Sequence, residues 1–301
     1  MSGVRRIVRF DRTVADLGRT EAFYRDALGF VREGAPGALP PSEAEALGLT
    51  GRRTTCLMMR LNQQTVGFVA VDPPGAPYPR GHSAIEPDFQ HLAIPVRDME
   101  SAFAHLSRAA PEPISRGGPQ TLPASSGGVG AFKFRDPDGH PLELIAFPSG
   151  APAARWADAP GLFLGIDHSA ITVTDLDRTI GLLTGGLGLT VAERGLNQGP
   201  EQARLDGLDD PVVDVIALQP PVAAPHVELL HYRRPSYVGP TPSYGPADGV
   251  STRFVFEAED PAALGKALAS EPTASVRISG DGSACFVTGP DHHGFLILRG
   301  R

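Results

Sequence analysis

The sequence is poor in cysteine and has no long apolar runs. Its 301 residues include only two cysteines, Cys56 and Cys285, which excludes a disulfide framework and fits a reducing compartment. No stretch approaches the ~20 apolar residues that a membrane-spanning helix needs. The first ten residues, MSGVRRIVRF, lack the apolar segment of a signal peptide. We therefore expect a cytoplasmic protein with no membrane partner.

Runs of positive charge are missing as well. The chain has 27 Lys and Arg against 34 Asp and Glu, a net charge of -7, which argues against nucleic acid as a partner. With 41% hydrophobic residues it is an ordinary globular sequence, and its length suggests about two domains. We expect a small-molecule substrate as its partner, and a monomer or a homodimer.

A repeated pattern runs along the chain. Residues 7–30, IVRFDRTVADLGRTEAFYRDALGF, resemble residues 166–189, IDHSAITVTDLDRTIGLLTGGLGL, when Asp16 is aligned with Asp175. Weaker copies surround Asp98 and Asp260, where Pro261 stands at the first helical position. Each copy reads as an alternating strand, a capping Asp and a helix, and about three strand-like runs follow.

The pattern predicts four βαβββ modules and therefore an α+β fold. We place the modules at 4–72, 86–148, 163–233 and 248–300 and number them 1 to 4. Proline-rich joints separate them, and the joint at 149–162 is the expected boundary between a first domain, 1–148, and a second, 163–301.

Two positions of the modules carry residues of chemical interest. Seven residues before the capping Asp, modules 1 to 4 have Arg9, His91, His168 and Arg253, and in the last strand they have Gly67, Glu143, Glu228 and Leu296. Modules 2 and 3 thus have both His and Glu, and modules 1 and 4 have neither. A carboxylate inside the apolar run PLELIAF is costly unless it is paired or binds a cation. Two imidazoles and two carboxylates suit one divalent ion, whether Fe, Mn, Ni, Co or Zn.

The segments FQHLAIPVRDMESAF, FRDPDGHPLELIAF and GIDHSAITVTDLDRT make the chain similar to the vicinal oxygen chelate superfamily. This superfamily includes glyoxalase I, methylmalonyl-CoA epimerase, extradiol dioxygenases and bleomycin-resistance proteins. The resemblance covers almost all of the chain. It implies two glyoxalase-like domains, in which paired modules curl their mixed sheets into a cup around a metal. It also implies that His91, Glu143, His168 and Glu228 are the ligands.

The resemblance allows two pairings of the modules. If neighbours pair, each cup has one His and one Glu and neither metal site is complete. If module 2 pairs with module 3, one cup has all four ligands, and the ligand count favours this arrangement. The other cup then has Arg9 and Arg253 where ligands would be, which suits either an anion or a purely structural role.

The reaction that the resemblance implies is a metal-dependent lyase or isomerase step beside a carbonyl. Glu143 or Glu228 would act as the base, because a metal-bound glutamate does so in glyoxalase I-like enzymes. The alternative is an Fe(II) extradiol dioxygenase that uses His91, His168 and Glu143, with His226 or Tyr232 as an acid-base group. A third alternative is a non-enzymatic binding or resistance protein.

Residues that contact substrate are harder to predict. The segment GLNQGPEQARLDG (195–207) offers Asn197, Gln202 and Arg204 near the rim of module 3. The segment 113–128 is expected to lie at the corresponding place in module 2.

Overall fold

The computed structural model describes residues 3–222, 224–240, 243–272 and 274–300. Residues 1, 2 and 301, at the ends of the two expected domains, lie outside these ranges. In module 1 the elements are β1 (Arg6–Thr13), α1 (Leu17–Leu28), β2 (Val31–Arg32), α2 (Pro41–Ala46), β3 (Arg53–Leu61) and β4 (Gln64–Asp72). In module 2 they are β5 (Gln90–Pro95), α3 (Met99–Leu106), β6 (Glu112–Pro113), β7 (Gln120–Thr121), β8 (Gly130–Arg135) and β9 (Pro141–Ala146).

The second half repeats this order after a short helix in the joint, α4 (Ala151–Ala154). In module 3 the elements are β10 (His168–Thr172), α5 (Leu176–Gly181), β11 (Thr190–Gln198), α6 (Pro200–Asp206), β12 (Val212–Gln219) and β13 (His226–Arg234). In module 4 they are β14 (Thr252–Ala258), α7 (Pro261–Leu268), β15 (Ser275–Ile278), β16 (Ala284–Thr288) and β17 (Gly294–Arg299).

The predicted helix starts are confirmed in all four modules. The carboxylate of each capping Asp accepts backbone N–H groups of the first helical turn, as these residues do at N-caps; the four are Asp16, Asp98, Asp175 and Asp260. Helix α1 ends at Gly29, whose φ of 73° favours glycine. In module 3 the helix continues instead through a π-helical turn at Leu182–Gly186.

The strands form two mixed sheets, which confirms the α+β fold class. The eight-stranded sheet has the order β15-β16-β17-β14-β1-β4-β3-β2 and joins module 1 to module 4. The nine-stranded sheet has the order β11-β12-β13-β10-β5-β9-β8-β6, with β7 beside β8, and joins module 2 to module 3. Each sheet therefore takes one module from each half of the chain, so the joint at 149–162 separates the halves but not the sheets.

One face of each sheet packs into a shared core. The largest buried cluster includes Phe10 of β1, Leu92 of β5, Ile171 of β10 and Phe254 of β14, together with helix residues such as Leu28. Since side chains alternate along a strand, the residues next to these point to the opposite face. On the nine-stranded sheet that opposite face carries the predicted metal ligands, and we call it the site face.

No helix in the described part of the chain has the length and apolar character needed to cross a membrane.

Candidate metal centre

The site face brings together the four residues predicted as metal ligands, which we call the ligand quartet: His91, Glu143, His168 and Glu228. Strands β5 and β10 pair antiparallel at the centre of the sheet, with His91 opposite Ala170 and His168 opposite Ala93. Each alanine in turn lies beside a glutamate of the next strand, Glu228 on β13 and Glu143 on β9. Because residues opposite one another in a sheet share a face, two adjacent rows present all four side chains together.

The atoms of the ligand quartet are close. His91 Nε2 lies 3.1 Å from Glu143 Oε2, and His168 Nε2 lies 4.0 Å from the same oxygen. One ligand atom from each of these three residues falls within 4.8 Å of the other two. Glu228 Oε1 is 3.7 Å from His168 Nε2. His91, Glu143 and His168 are thus compact enough to share one ion, and Glu228 lies beside them through its contact with His168.

Several of these nitrogens are buried without a hydrogen-bond partner. Both ring nitrogens of His91 and Nε2 of His168 have no hydrogen-bond partner among the described residues, and the 3.1 Å contact of His91 with Glu143 lacks hydrogen-bond geometry. Unpaired buried polar atoms are rare in folded proteins and often mark the place of an ion or a water molecule. The donor set of the quartet therefore fits a divalent transition metal.

Known proteins resemble this chain in sequence over one half and in fold over its whole length. The model of the Glyoxalase/Bleomycin resistance protein/Dioxygenase superfamily matches residues 6–144. This part of the chain belongs to that superfamily. The recognition made from the sequence is thereby confirmed. No curated protein matches the chain by sequence.

Solved structures of the superfamily's fold resemble the whole chain. Glyoxalase I from Zea mays is 16% identical, with coverage of 98% of this chain and 92% of its own and a TM-score of 0.64. A candidate dioxygenase from Bacillus subtilis subsp. subtilis str. 168 is 14% identical, with coverage of 99% and 86% and a TM-score of 0.60. At such identities the likeness shows the two-domain glyoxalase fold alone.

The two histidines of the ligand quartet have different electrostatic surroundings. Burial lowers the pKa of His91 to about 4, against the attraction of Glu143. Burial also disfavours charge on His168, but Glu228, Asp167 and Glu143 together raise its pKa to about 9. At neutral pH the metal-free site therefore has a neutral His91 and a protonated His168.

The two glutamates differ as well. Burial would raise the pKa of Glu143, but Lys133 and the two histidines lower it to about 2. Burial raises the pKa of Glu228, and the attraction of His168 offsets this only in part. Two residues with similar positions in their modules thus have unequal proton affinities.

Asp167 also lies at this site, although it was not among the residues predicted from the sequence. Its Oδ2 lies 2.9 Å from His168 Nδ1 and 3.8 Å from His226 Nδ1, and its Oδ1 contacts the guanidinium of Arg155 from the joint. A carboxylate that accepts from one ring nitrogen of a histidine fixes the orientation of the other for a metal. The position of Asp167 directly before His168 was an available signal.

Lys133 was also missed. It lies on β8 directly opposite Glu143, is 3% exposed, and its Nζ is 2.7 Å from Oδ1 of Asp206. A lysine between the two phenylalanines of the strand GAFKFR was a usable signal, because alternation places one such side chain on the face that Glu143 shares.

The predicted substrate contacts lie on α6 and the edge of the nine-stranded sheet. Gln202 is buried and donates to Asp206 Oδ2 at 2.7 Å, and Arg204 Nε donates to the amide oxygen of Gln120 at 2.6 Å. Asn197 on β11 shares the site face, in the row of Tyr232. Arg204 thus links the 195–207 segment to the 113–128 segment, and contact of any of the three residues with substrate stays a prediction.

The eight-stranded sheet has a different arrangement at the corresponding positions. Arg9 Nε donates to Asp11 Oδ1 at 2.8 Å, and Arg9 Nη2 donates to Glu43 Oε2 at 2.5 Å. A Cβ atom on Gly67 would lie 2.3 Å from Asp11 Oδ1, so the Asp11 carboxylate fills the space beside this glycine. The anionic partners of Arg9 are therefore two carboxylates of the chain itself, those of Asp11 and Glu43.

The remaining two positions of that sheet are an apolar residue and a partly satisfied arginine. Leu296 is fully buried among other apolar side chains. Arg253 is 0% exposed, and its Nη1 donates to Thr13 Oγ1, Ser251 Oγ and the carbonyl of Pro246. Its Nε and Nη2 are buried with no hydrogen-bond partner among the described residues, so anion binding and a purely structural role both stay predictions.

Proposed function

We propose that the ligand quartet holds one divalent metal ion, Fe, Mn, Ni, Co or Zn, and that the protein is a lyase or isomerase. It would move a proton on the carbon beside a carbonyl of a small-molecule substrate. The observation that carries this proposal is the meeting of two histidines and two glutamates from separate modules on one buried face, with unpaired ring nitrogens between them.

The metal would supply Lewis acidity toward a substrate carbonyl or hydroxyl oxygen. Within the quartet, His91, His168 and Glu143 would be the main ligands, because these three residues are each less than a tenth exposed and are mutually close, and Glu228 would complete the set from beside His168. Their burial also keeps bulk water from the reacting carbon.

Glu228 is the residue that we assign as the base. The side chain of Glu228 is 18% exposed, compared with 9% for that of Glu143. Glu228 contacts His168 at 3.7 Å, whereas Glu143 lies within 4.0 Å of both histidines. A carboxylate at the open side of the site can take a proton at one oxygen.

Metal analysis of the purified protein tests the first part of the proposal. We expect about one equivalent of metal, which His91→Ala and His168→Ala each lose. His231→Ala is the matched control, because His231 lies on the opposite face of β13 and pairs with Asp214. Retention of the metal in either of the first two variants would refute a shared site.

Proton exchange tests the reaction. With α-hydroxy ketones in D2O, the metal-loaded protein should incorporate deuterium at the carbon beside the carbonyl, as followed by NMR. Glu228→Gln should keep the metal and lose most of the exchange. Loss of exchange in Glu143→Gln alone would instead assign the base to Glu143.

A second candidate function is an Fe(II) ring-cleaving dioxygenase. His91, His168 and Glu143 are the three residues that lie within 4.8 Å of one another, and two histidines with one carboxylate form the facial triad of such enzymes. The ring of His226, 5.1 Å from that of His168, is near enough to serve as an acid-base group. Oxygen consumption with catechols by the Fe(II) protein, without proton exchange on ketones, would favour this candidate.

A further inference from the structure

Lysine is scarce in this chain, and one of its lysines is buried beside the proposed metal site. Among the 27 Lys and Arg residues the lysines are Lys133 and Lys266. Lys266 is exposed on α7, whereas Lys133 is 3% exposed on the site face, opposite Glu143. Burial of an ammonium group is costly unless its hydrogen bonds are satisfied, so this placement calls for an explanation.

Asp206, the ion-pair partner of Lys133, also accepts hydrogen bonds from other donors. Asp206 Oδ1 accepts from Lys133 at 2.7 Å, while its Oδ2 accepts from Gln202 Nε2 at 2.7 Å and from the Tyr232 hydroxyl at 2.9 Å. Three donors thus share the charge of one carboxylate. An ammonium group has three N–H donors, and the Asp206 bond uses one of them.

The same cluster also offers an acceptor. Oε1 of Gln202 is buried and has no hydrogen-bond partner among the described residues. Among the described residues, the ammonium group of Lys133 therefore has N–H donors without a partner, and the amide oxygen of Gln202 on α6, joined to it through Asp206, is an acceptor without one.

The position of Lys133 relative to the ligand quartet limits what it can bind. It lies next to Glu143 in the same row across the sheet, and it is paired with Asp206 rather than with that glutamate. Lys133 thus lies beside the proposed metal position, while its ion pair is with a residue outside the ligand quartet. A substrate oxygen beside the chelated carbonyl would occupy that place.

We propose that Lys133 is a substrate-binding residue that pairs with a carboxylate, and that the substrate is a small α-keto or α-hydroxy acid. This inference rests on the proposed function, because it requires the keto or hydroxy oxygen of the substrate to bind the metal while the carboxylate pairs with Lys133. A compact substrate is favoured since His91, His168 and Glu143 are less than a tenth exposed.

Ligand binding to the Co(II)-loaded protein tests this proposal without any turnover. The probes are pyruvate and its neutral near-isostere butane-2,3-dione, and the readout is the visible absorption of cobalt. In the wild-type protein pyruvate should bind more tightly than the dione by roughly ten- to hundredfold, as expected for a charge-assisted hydrogen bond.

Three variants separate binding from folding. Lys133→Met should remove the preference for pyruvate and keep one equivalent of cobalt, and Lys266→Met is the matched control that leaves both affinities unchanged. Asp206→Asn should keep or strengthen pyruvate binding, because it removes the competing carboxylate of Lys133. Thermal unfolding of each variant verifies that the fold is retained.

The outcomes are distinct. Equal affinities for the two probes in the wild type, or equal losses for both in Lys133→Met, would overturn the role of Lys133 while the cobalt absorption still showed an intact metal site. A wild-type protein that takes up no cobalt would overturn the proposed function together with this inference.

Discussion

At the scale of single residues, the two histidines of the ligand quartet differ in what orients them. Asp167 accepts from Nδ1 of His168 at 2.9 Å, whereas Nδ1 of His91 is buried and has no hydrogen-bond partner in the part of the chain that the structure describes. A hydrogen bond therefore orients the ring of His168, and packing orients that of His91. We expect metal affinity to depend strongly on Asp167.

Asp167→Asn should weaken metal binding by roughly ten- to hundredfold, because the neutral amide no longer stabilises the ligand orientation of His168. Competition with a fluorescent chelator measures the effect. Asp214→Asn is the matched control, since Asp214 contacts His231 at 3.2 Å away from the site. Equal affinities of the two variants would contradict the role of Asp167.

Metal affinity should also depend on pH through His168. Its pKa is raised to about 9, so below this pH a metal must displace a proton from the ring, and the apparent affinity should increase about tenfold per pH unit from 7 to 9. Above about pH 9 this dependence should level off. Chelator competition at several pH values checks this, and a flat profile from pH 7 would contradict it.

The meeting of the four quartet residues was predictable because modules 2 and 3 each have a His and a Glu at these positions, whereas modules 1 and 4 lack both. Lys133 and Asp206 were not predictable in this way. Lys133 lies opposite Glu143 in module 2, and the corresponding residue opposite Glu228 in module 3 is Ala217. Because the lysine is not repeated, comparison of the modules does not point to it. Its partner Asp206 lies in another module, and only the sheet pairing brings the two together.

At the scale of elements, the sequence predicted where the first helix of each module begins, but it did not predict the short helices. The four capping Asp residues act locally, so their signal is present in the sequence. Helices α2 and α6 span six and seven residues, too few for propensity to stabilise them, and their contacts with the sheets hold them. The pairing of the modules depends on contacts between distant strands; the resemblance allowed two arrangements, and the ligand count favoured the one that the sheets show.

Strand β4 has no room for a side chain at Gly67. A methyl group there would lie 2.3 Å from Asp11 Oδ1, so Gly67→Ala should lower the free energy of unfolding by about 1–3 kcal/mol. Urea denaturation measures this. Gly37→Ala is the control, because a Cβ atom at Gly37 meets nothing within 4 Å. Similar stabilities of both variants would show that Asp11 moves aside freely.

At the scale of the whole molecule, two sheets of the same construction have separable roles. Asp11→Ala would leave Arg9 with Glu43 as its remaining ionic partner, and removal of one member of a buried ion pair costs about 3–5 kcal/mol. We expect this loss in urea denaturation, together with an unchanged metal content. The control Asp72→Ala breaks an exposed pair with Arg53 and should cost at most about 1 kcal/mol. Loss of metal from Asp11→Ala would show that the two sheets are not independent.

Because each sheet takes one module from each half of the chain, neither half can form a complete sheet without the other. A chain broken between residues 150 and 151 would leave two fragments joined by the β1–β14 and β5–β10 contacts, much like a heterodimer. Either fragment alone would expose two bare strand edges and should aggregate. Co-expression should recover a complex with one metal ion per fragment pair, measurable by light scattering and metal analysis. Soluble, metal-binding single fragments would contradict the crossed pairing.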